Sequence, residues 1–452
     1  MKPKYILILL SILFSFSCSE DYLDKKSNKA LVVPHTLADF QAILDNCQDV
    51  VNIVPGLPLV ASDDAFTTSS ALQSLSTANE RNSYFWAEDI YEGANCDDWN
   101  KPYQQIFYAN VVLDGLSRIA ITPANQAEWQ NIKGFALFVR AHAMLNLAEL
   151  FTAPYDAASA ATTLGIPLRL TADVNAPVVR STHEQTYRQI IADLTEAVEC
   201  LPVNTISKTR PVAGSAYALL ARTSLFMGDY KSAENYCSQA LARNDYLIDF
   251  NTLNPESLSP VPNLNDETIY YATQITYGYL TRATTYIDTT LYASYHDDDL
   301  RKHIFFRLRE PNRYSFKGSY TGGLIPFGGI ANDEVYITRA ESRVRLGDID
   351  GALEDLNALL IKRWQSGKFQ PITETDADAL LQIILEERRK ELVFRNLRWS
   401  DLRRLNQDTR FQKTLSRTIE GTTYTLPPNS VRYAFPIPQQ EVAISGIVQN
   451  PR

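Results

Sequence analysis

The chain of 452 residues is poor in the residue types that build metal and redox sites, with five cysteines and five histidines. Cys47, Cys96, Cys200 and Cys237 form no C-x-x-C pair and have no histidine close in sequence. We therefore expect neither a zinc site nor another cofactor. We expect these four cysteines to be buried free thiols. Disulfides between Cys47 and Cys96 and between Cys200 and Cys237 are the alternative that an oxidising compartment would permit.

Signatures of common catalytic sites are missing too: there is no H-E-x-x-H, no G-x-S-x-G and no G-x-x-x-x-G-K-[ST] motif. Positive charge is in deficit, because 43 Lys+Arg stand against 52 Asp+Glu and the net charge is −9. Binding to a phosphate backbone needs a basic surface. The composition therefore argues against nucleic acid as the main partner.

Long hydrophobic runs are lacking except at the N-terminus, where Lys2 and Lys4 precede an apolar stretch over residues 5–16. This stretch is too short to span a bilayer and is typical of a signal peptide. Ser17 and Cys18 follow, which resembles a bacterial lipoprotein signal, where the cysteine becomes the first residue and receives lipid. We predict a signal peptide over 1–17 and lipidation of Cys18. A secretory signal with an unmodified cysteine is the alternative.

Helical patterns dominate the rest of the chain. Capping residues and apolar spacing predict helices that begin near Thr36, Asp98 and Thr182, together with a long apolar helix over 125–151. His142 lies within this apolar helix, and we expect it in the core. The chain therefore reads as one interrupted helical scaffold rather than several separate domains.

Two segments, Ala213–Asn244 and Val335–Trp364, repeat each other at a spacing of 119 residues. Each contains Gly-Asp at the corresponding position, at Gly228 and Gly347. The glycine is suited to end one helix and the aspartate to cap the next, as in tetratricopeptide-like helix pairs. Residues 251–330 interrupt the repeat and are rich in tyrosine. Long loops on a rigid scaffold commonly carry binding residues.

Five motifs are spread along the chain: Trp99-x-x-x-Tyr103-x-x-Ile106-x-x-x-Asn110, Glu334-Val335-Tyr336 followed by Gly347-Asp348, Glu387-Arg388-Arg389-Lys390-Glu391, Arg398-Trp399-x-Asp401-Leu402-Arg403-Arg404 and Phe435-Pro436-Ile437-Pro438. Together they resemble the SusD/RagB family of outer-membrane nutrient-binding lipoproteins. The chain departs from the family at Arg395-Asn396-Leu397, where many members carry Glu-Gly-His, and this departure leaves the ligand type open.

The resemblance implies a mainly α, SusD-like fold with interrupted tetratricopeptide-like helix pairs and long loop insertions. It divides the chain into a signal peptide (1–17), a lipidated tether (18–35), an N-terminal helical region with tetratricopeptide-like units (36–250) and a C-terminal region with the loop insertion and a further unit (251–452).

The resemblance also implies a non-catalytic protein at the cell surface, held in the outer membrane by its lipid anchor. Such a protein captures glycans or other oligomeric nutrients and delivers them to a SusC-like TonB-dependent transporter. Uptake of peptides or of another non-glycan nutrient is an open alternative. A tetratricopeptide-like adaptor that binds only protein is another.

A dense charge cluster over residues 386–404 has the composition of an acid–base site. Glu387 and Glu391 are four residues apart on one helix face, and paired carboxylates could hydrolyse glycosides. The seven cations around them should hold the carboxylate pKa values down, so we expect a structural ion-pair network. The acidic run at 296–299 could coordinate a cation, but we expect a solvated turn that caps the next helix.

Sugar binding needs flat rings and hydrogen-bonding side chains at a concave site. Two regions offer both: the segment around Trp86, and the tyrosine-rich insertion. Each single ring is more often a core residue than a ligand platform. The predicted ligand-binding residues are Trp86 as first choice, then Tyr84, Trp99, Tyr279, Arg282, Tyr286, Tyr314 and Tyr320.

Overall fold

The computed structural model describes residues 34–47 and 49–452. The predicted signal peptide, Cys18 and the tether up to residue 33 lie outside this part of the chain. In chain order the helices are α1 (Leu37–Leu44), α2 (Leu57–Ala61), α3 (Ser69–Gln73), α4 (Ala78–Tyr84), α5 (Asp97–Leu116), α6 (Gln126–Phe151), α7 (His183–Cys200), α8 (Ala213–Met227), α9 (Tyr230–Leu241), α10 (Gly278–Thr281), α11 (Thr289–Ala293), α12 (Arg301–Ile304), α13 (Asn332–Arg345), α14 (Ile349–Leu360), α15 (Ala377–Glu391), α16 (Arg398–Leu405) and α17 (Gln439–Ser445), with single 3-10 turns at Phe250–Thr252 and Val431–Tyr433.

Side-chain caps fix where the predicted helices begin. The Thr36 hydroxyl accepts a hydrogen bond from the Asp39 N–H at 3.1 Å, and the Asp39 carboxylate accepts one from the Thr36 N–H at 3.0 Å. Thr182 and Gln185 form the same reciprocal box at the start of α7. Each box satisfies backbone donors that a helix leaves unpaired at its N-terminus. The predicted helix starts are confirmed.

The repeated segments fold as two helix pairs, α8–α9 and α13–α14. Gly228 and Gly347 end the first helix of each pair with φ of +75° and +86°, a region that favours glycine. The Asp229 carboxylate accepts from the Ser232 N–H at 3.1 Å, and Asp348 accepts from the Gly351 N–H at 3.0 Å. The turn chemistry read from the repeat is therefore confirmed in both copies.

Helix α6 is the central element of the core. It is long and apolar enough to cross a membrane by composition, yet 89% of its most apolar window is buried inside the protein. It packs between α5 and α7. His142 is 1% exposed, and burial together with the charge of Arg222 lowers its pKa to about 3. The prediction of a neutral core histidine is confirmed.

Short two-stranded pairings join distant parts of the described chain. β1 (Ile53–Val54) pairs in parallel with β6 (Thr273–Gln274). The antiparallel pairs are β2 (Ala65–Thr67) with β7 (Thr285–Ile287), β3 (Leu164–Pro167) with β4 (Arg180–Thr182), β5 (Thr268–Tyr270) with β10 (Ile330–Ala331), β8 (Phe306–Glu310) with β9 (Arg313–Phe316), and β11 (Leu415–Ile419) with β12 (Thr422–Leu426). The first two pairings attach the 251–330 insertion to the N-terminal region.

The charge cluster at 386–404 is a buried ion-pair network. Arg301, which is fully buried, contacts Glu391 at 3.0 Å and Glu387 at 2.5 Å. Arg363 contacts Glu391 and Glu267, each at 2.7 Å. These contacts connect the insertion to helix α15. Further pairs are Arg388–Asp401, Arg404–Glu341, Arg395–Asp333, Arg398–Asp63 and Arg389–Asp64.

The arginines hold nearby carboxyl groups in the charged state. Burial alone would raise the pKa of Glu341, but Arg404, Arg345 and Arg388 lower it to about 2. The charges of Arg301 and Lys390 likewise lower the pKa of Glu387 against burial. The prediction that the 386–404 cluster is structural rather than an acid–base pair is confirmed for Glu387.

Acid should weaken the scaffold through Glu341. The pKa of Glu341 is about 2 in the folded protein, whereas an unperturbed glutamate has a pKa of 4.5. The contribution of the charged group to the free energy of unfolding is therefore complete above pH 4.5 and is lost as the pH falls towards 2. The contribution is on the order of 3 kcal/mol. Urea unfolding across this range should show the stability difference between wild type and Glu341→Gln shrinking with acid. Glu354→Gln, at an exposed position of α14, should follow wild type. If the free energies of unfolding of wild type and Glu341→Gln fall in parallel with pH, the lowered pKa of Glu341 would be contradicted.

Candidate functional site

Six of the eight predicted ligand-binding residues have buried side chains. They are Trp86 (2% exposed), Tyr84, Trp99, Tyr279, Tyr286 and Tyr320. A buried ring presents no face on which a sugar could stack. The structure therefore assigns these rings to packing, which is a correction of their expected role.

Trp86 and Tyr84 pack around one guanidinium group. The Trp86 Nε1–H donates to the Ala61 carbonyl at 3.0 Å. The Arg417 guanidinium lies 3.8 Å from the centre of the Tyr84 ring and 5.0 Å from that of Trp86. These cation–π contacts attach the β11–β12 hairpin to α4 and the segment that follows it. The contacts of both rings support the packing of this hairpin.

The other three buried tyrosines also have internal partners. Tyr279 packs against Tyr84 with ring centres 5.6 Å apart. The Tyr286 hydroxyl lies 3.0 Å from a Glu310 oxygen. The Tyr320 hydroxyl lies 3.1 Å from Glu267, inside the ion-pair network. The hydroxyl groups of Tyr286 and Tyr320 are used within the fold, so composition alone overstated the number of rings available to a ligand.

Trp99 lies at the floor of an open cleft of about 580 Å³, which we call the helix cleft. Tyr103 and Phe107 follow it at four-residue spacing on the same face of α5, and Phe107 is 38% exposed. The opposite side is formed by the loop after β3 and by α17, with Val174 and Ile444 at its rim. Helical periodicity in the sequence could have identified this aromatic row.

Three polar side chains of the helix cleft are already engaged. The Asn110 side-chain amide donates to the carbonyls of Arg169 and Thr171, at 2.9 and 3.1 Å. The Arg169 guanidinium donates to the Ala176 carbonyl at 2.7 Å. The Tyr103 hydroxyl donates to the Pro167 carbonyl at 3.0 Å. These bonds hold the 167–178 loop, and the cleft offers mainly apolar contacts to anything that enters it.

A second cavity, of about 450 Å³, lies within the tyrosine-rich insertion, and we call it the tyrosine pocket. Tyr292 from α11 and Tyr314 from β9 stack in its wall, with ring centres 3.7 Å apart and planes inclined by 14°. Both rings are half-buried. Polar and charged side chains complete the lining: Asn251, Glu256, Lys302, His303, Arg307 and Lys317.

Tyr314 is thus the predicted residue that lies in a pocket with both rings and hydrogen-bonding groups. Arg282 lies on the other side of the β8–β9 hairpin, where its guanidinium donates to the Ser74 hydroxyl at 2.7 Å. Tyr292, Arg307 and Lys317 were not among the candidates. Tyr292 belongs to the tyrosine cluster, but its stacking on Tyr314 depends on two separate elements meeting, which sequence spacing does not reveal.

Three buried carboxyl groups, Glu267, Asp333 and Glu391, have oxygens within 4.8 Å of one another, close enough for a cation. Arg363 and Arg395 already occupy their oxygens at 2.7 and 2.8 Å. Burial raises the pKa of Glu267 to about 7 against the pull of Arg363. The cluster is therefore an ion-pair centre.

The acidic run at 296–299 is only partly the solvated turn that we expected. The Asp299 carboxylate accepts from the Arg301 N–H at 3.0 Å, which caps the following helix. Its side chain is buried against the Arg301 guanidinium at 2.7 Å. Asp299 therefore belongs to the ion-pair network, while His296 and Asp297 remain exposed.

Comparison with known families decides what kind of protein this is. A family model described as "Starch-binding associating with outer membrane" matches residues 21–225, and the SusD family model matches residues 333–452. Together they account for well over half of the chain. The chain belongs to the SusD/RagB family. Proteins of this family are non-catalytic, so this one is not an enzyme. The family description associates it with the outer membrane.

Solved structures have the same fold. A SusD superfamily protein from Bacteroides thetaiotaomicron matches with a TM-score of 0.75 at 22% identity, over 92% of this chain and 100% of its own. A SusD-like carbohydrate binding protein from Bacteroides vulgatus matches with a TM-score of 0.71 at 20% identity, over 91% of this chain and 97% of its own. At these identities the likeness establishes the mainly helical SusD fold. No curated protein matches the sequence significantly.

The buried position of Trp86 predicts a stability effect. Trp86→Ala should lower the free energy of unfolding by about 3–5 kcal/mol, because it opens a cavity beside Tyr84 and Arg417. Phe107→Ala, at the partly exposed rim of the helix cleft, should cost less than half of that. Chemical denaturation of both variants measures the difference. Equal, small losses for the two variants would show that Trp86 is not a core residue.

Proposed function

We propose that this SusD/RagB protein is a cell-surface lipoprotein that captures oligosaccharides or polysaccharides and delivers them to a SusC-like TonB-dependent transporter. Its family membership supports this proposal, since one matching family model is described as starch-binding. A structural relative is described as a carbohydrate binding protein. The observation that carries the proposal within this chain is the tyrosine pocket, with its stacked pair of half-buried rings.

The tyrosine pocket suits a sugar better than the helix cleft does. A pyranose ring presents C–H groups to an aromatic face and hydroxyl groups at its edge, so it needs both a ring and free hydrogen-bonding side chains. In the tyrosine pocket, Arg307 makes no side-chain hydrogen bond to a described residue, and His303 is exposed. In the helix cleft the Asn110 amide and the Arg169 guanidinium are already bonded to backbone carbonyls.

Capture at such a site is reversible and breaks no bond. Stacking on Tyr314 and hydrogen bonds from neighbouring side chains hold the glycan at the surface. The paired carboxylates Glu387 and Glu391 are buried in the ion-pair network and cannot reach it. Delivery to the transporter then requires only that the glycan dissociate towards the barrel.

The glycan proposal predicts a loss of affinity in Tyr314→Ala. Removing this ring takes away one stacking face, and we expect about tenfold weaker binding, equivalent to about 1.4 kcal/mol. Affinity gel electrophoresis against a panel of polysaccharides finds a ligand, and isothermal titration calorimetry with its oligosaccharides measures the change. Phe107→Ala is the matched control, because it removes an aromatic ring from the helix cleft and should leave the affinity unchanged.

The result also separates the alternatives. A loss in Phe107→Ala with none in Tyr314→Ala would move the site to the helix cleft. Binding to peptides with no binding to any glycan would contradict the glycan proposal. Release of shortened sugars from a polysaccharide would contradict the absence of catalysis.

We propose that residues 1–17 are removed and that Cys18 carries the lipid. Cys18→Ala should therefore move the protein from the membrane fraction of the native host to the soluble or secreted fraction. Cys47→Ala serves as a control, because Cys47 belongs to the folded domain and should not affect membrane association. Retention of Cys18→Ala in membranes would contradict lipidation at this residue.

A further inference from the structure

Most arginines in the described part of the chain have a carboxylate partner, often at 2.6–3.0 Å. Among the cations without such a partner, four are grouped around the β8–β9 hairpin. No carboxylate oxygen of a described residue lies within ion-pair distance of Arg282, Arg307, Arg309 or Lys317, although the chain carries an excess of acidic residues. Unpaired cations grouped on an acidic protein are a local reversal of charge.

These cations lie close to one another. Lys317 lines the tyrosine pocket together with Arg307, and on the other side of the hairpin it lines a small depression with Arg282 and Arg309. Burial lowers the pKa of Arg309, and the charge of Arg307 lowers it further. Burial and the charge of Arg307 also lower the pKa of Lys317, while Glu256 opposes them. Arg307 therefore repels Arg309 and Lys317, and an anion placed between these cations would relieve that repulsion.

The hydrogen bonds that these cations make are with neutral groups. The Arg309 guanidinium donates to the Ser315 hydroxyl at 2.7 Å, and Arg282 donates to Ser74. Lys317 donates to the carbonyls of Pro255 and Ser257. The Arg307 side chain makes no hydrogen bond to a described residue and is exposed.

The other charged groups that face the tyrosine pocket do not cancel its net positive charge. Lys302 contacts Asp297, Arg313 contacts Glu310, His303 is exposed, and Glu256 is the acidic residue in the lining. With Lys302 paired to Asp297, the lining holds Arg307 and Lys317 against one carboxylate, beside the tyrosine pair.

We propose that the tyrosine pocket binds an anionic glycan, one whose sugars carry carboxylate or sulfate groups, with Arg307 and Lys317 contacting the anionic group and Tyr314 contacting the ring. The inference rests on the proposed glycan-binding function and adds the class of sugar. Guanidinium groups match the planar geometry of carboxylates and can also bind sulfate oxygens. A neutral glycan would leave the grouped charges uncompensated.

The test compares three oligosaccharide classes by titration calorimetry: oligogalacturonides for carboxylates, chondroitin sulfate oligosaccharides for sulfates, and malto-oligosaccharides as neutral sugars. At least one acidic class should bind at least tenfold more tightly than the neutral class. Its affinity should fall when ionic strength rises from about 0.05 to about 0.5 M, because salt screens charge contacts. Vesicles containing phosphatidylglycerol test whether the same cations bind an anionic lipid surface instead.

The double variant Arg307→Gln/Lys317→Gln should lose at least tenfold affinity for the acidic sugar. Lys231→Gln/Lys368→Gln is the matched control, because it removes the same charge from exposed positions outside the pocket and should bind like wild type. If the double variant melts at a much lower temperature, the single variant Arg307→Gln replaces it, since this exposed side chain has no internal hydrogen bond among the described residues.

Each outcome decides the inference. Acidic sugars that bind no more tightly than neutral ones would overturn it and leave glycan capture in place. Equal affinity of the double variant and the control would also overturn it, as would binding to anionic vesicles without binding to acidic sugars. Failure to bind any glycan would instead contradict the proposed function itself.

Discussion

The fold depends on guanidinium–carboxylate contacts that connect the inserted segment to helix α15. Arg301 and Glu267 belong to the insertion, while Glu387 and Glu391 belong to the helix, and Arg363 joins the two carboxylate sets. Removing one member would leave a buried charge without a partner, which is strongly destabilising. The insertion is therefore held in one position relative to the scaffold, and the pocket that it carries has a defined shape.

This constraint also explains why the charged residues of the cluster are not catalytic. Surrounding arginines hold Glu341 and Glu387 in the ionised state at neutral pH against the effect of burial, as the lowered pKa values of these two groups indicate. A general acid would need a raised pKa and access to a substrate. The network instead positions the β8–β9 hairpin, in which Arg307 and Arg309 have no such partners among the described residues. Structural and binding charges are thus separated in space.

Much of the scaffold could be predicted from the sequence because its signals are local. Capping residues such as Thr36 and Thr182 bind backbone groups three residues away, and Gly228 ends its helix through its own left-handed backbone conformation. The family resemblance also held along the chain, since its motifs mark scaffold elements. The binding surface was predicted less well. Trp86 was the first choice as a ligand platform, yet it is 2% exposed and packs beside Arg417, more than 300 positions away in sequence.

The sequence by itself determined the helical repeat, the SusD/RagB family, the structural nature of the 386–404 charges and the tyrosine-rich insertion. Only the tertiary structure decided which tyrosines face solvent. Rings of the same type became core at Tyr320 and pocket wall at Tyr314, because exposure depends on which distant elements cover a side chain. The same holds for charge: Arg301 is neutralised by Glu391 from α15, whereas Arg307 meets no carboxylate among the described residues. Such pairings arise from long-range packing, which local spacing does not encode.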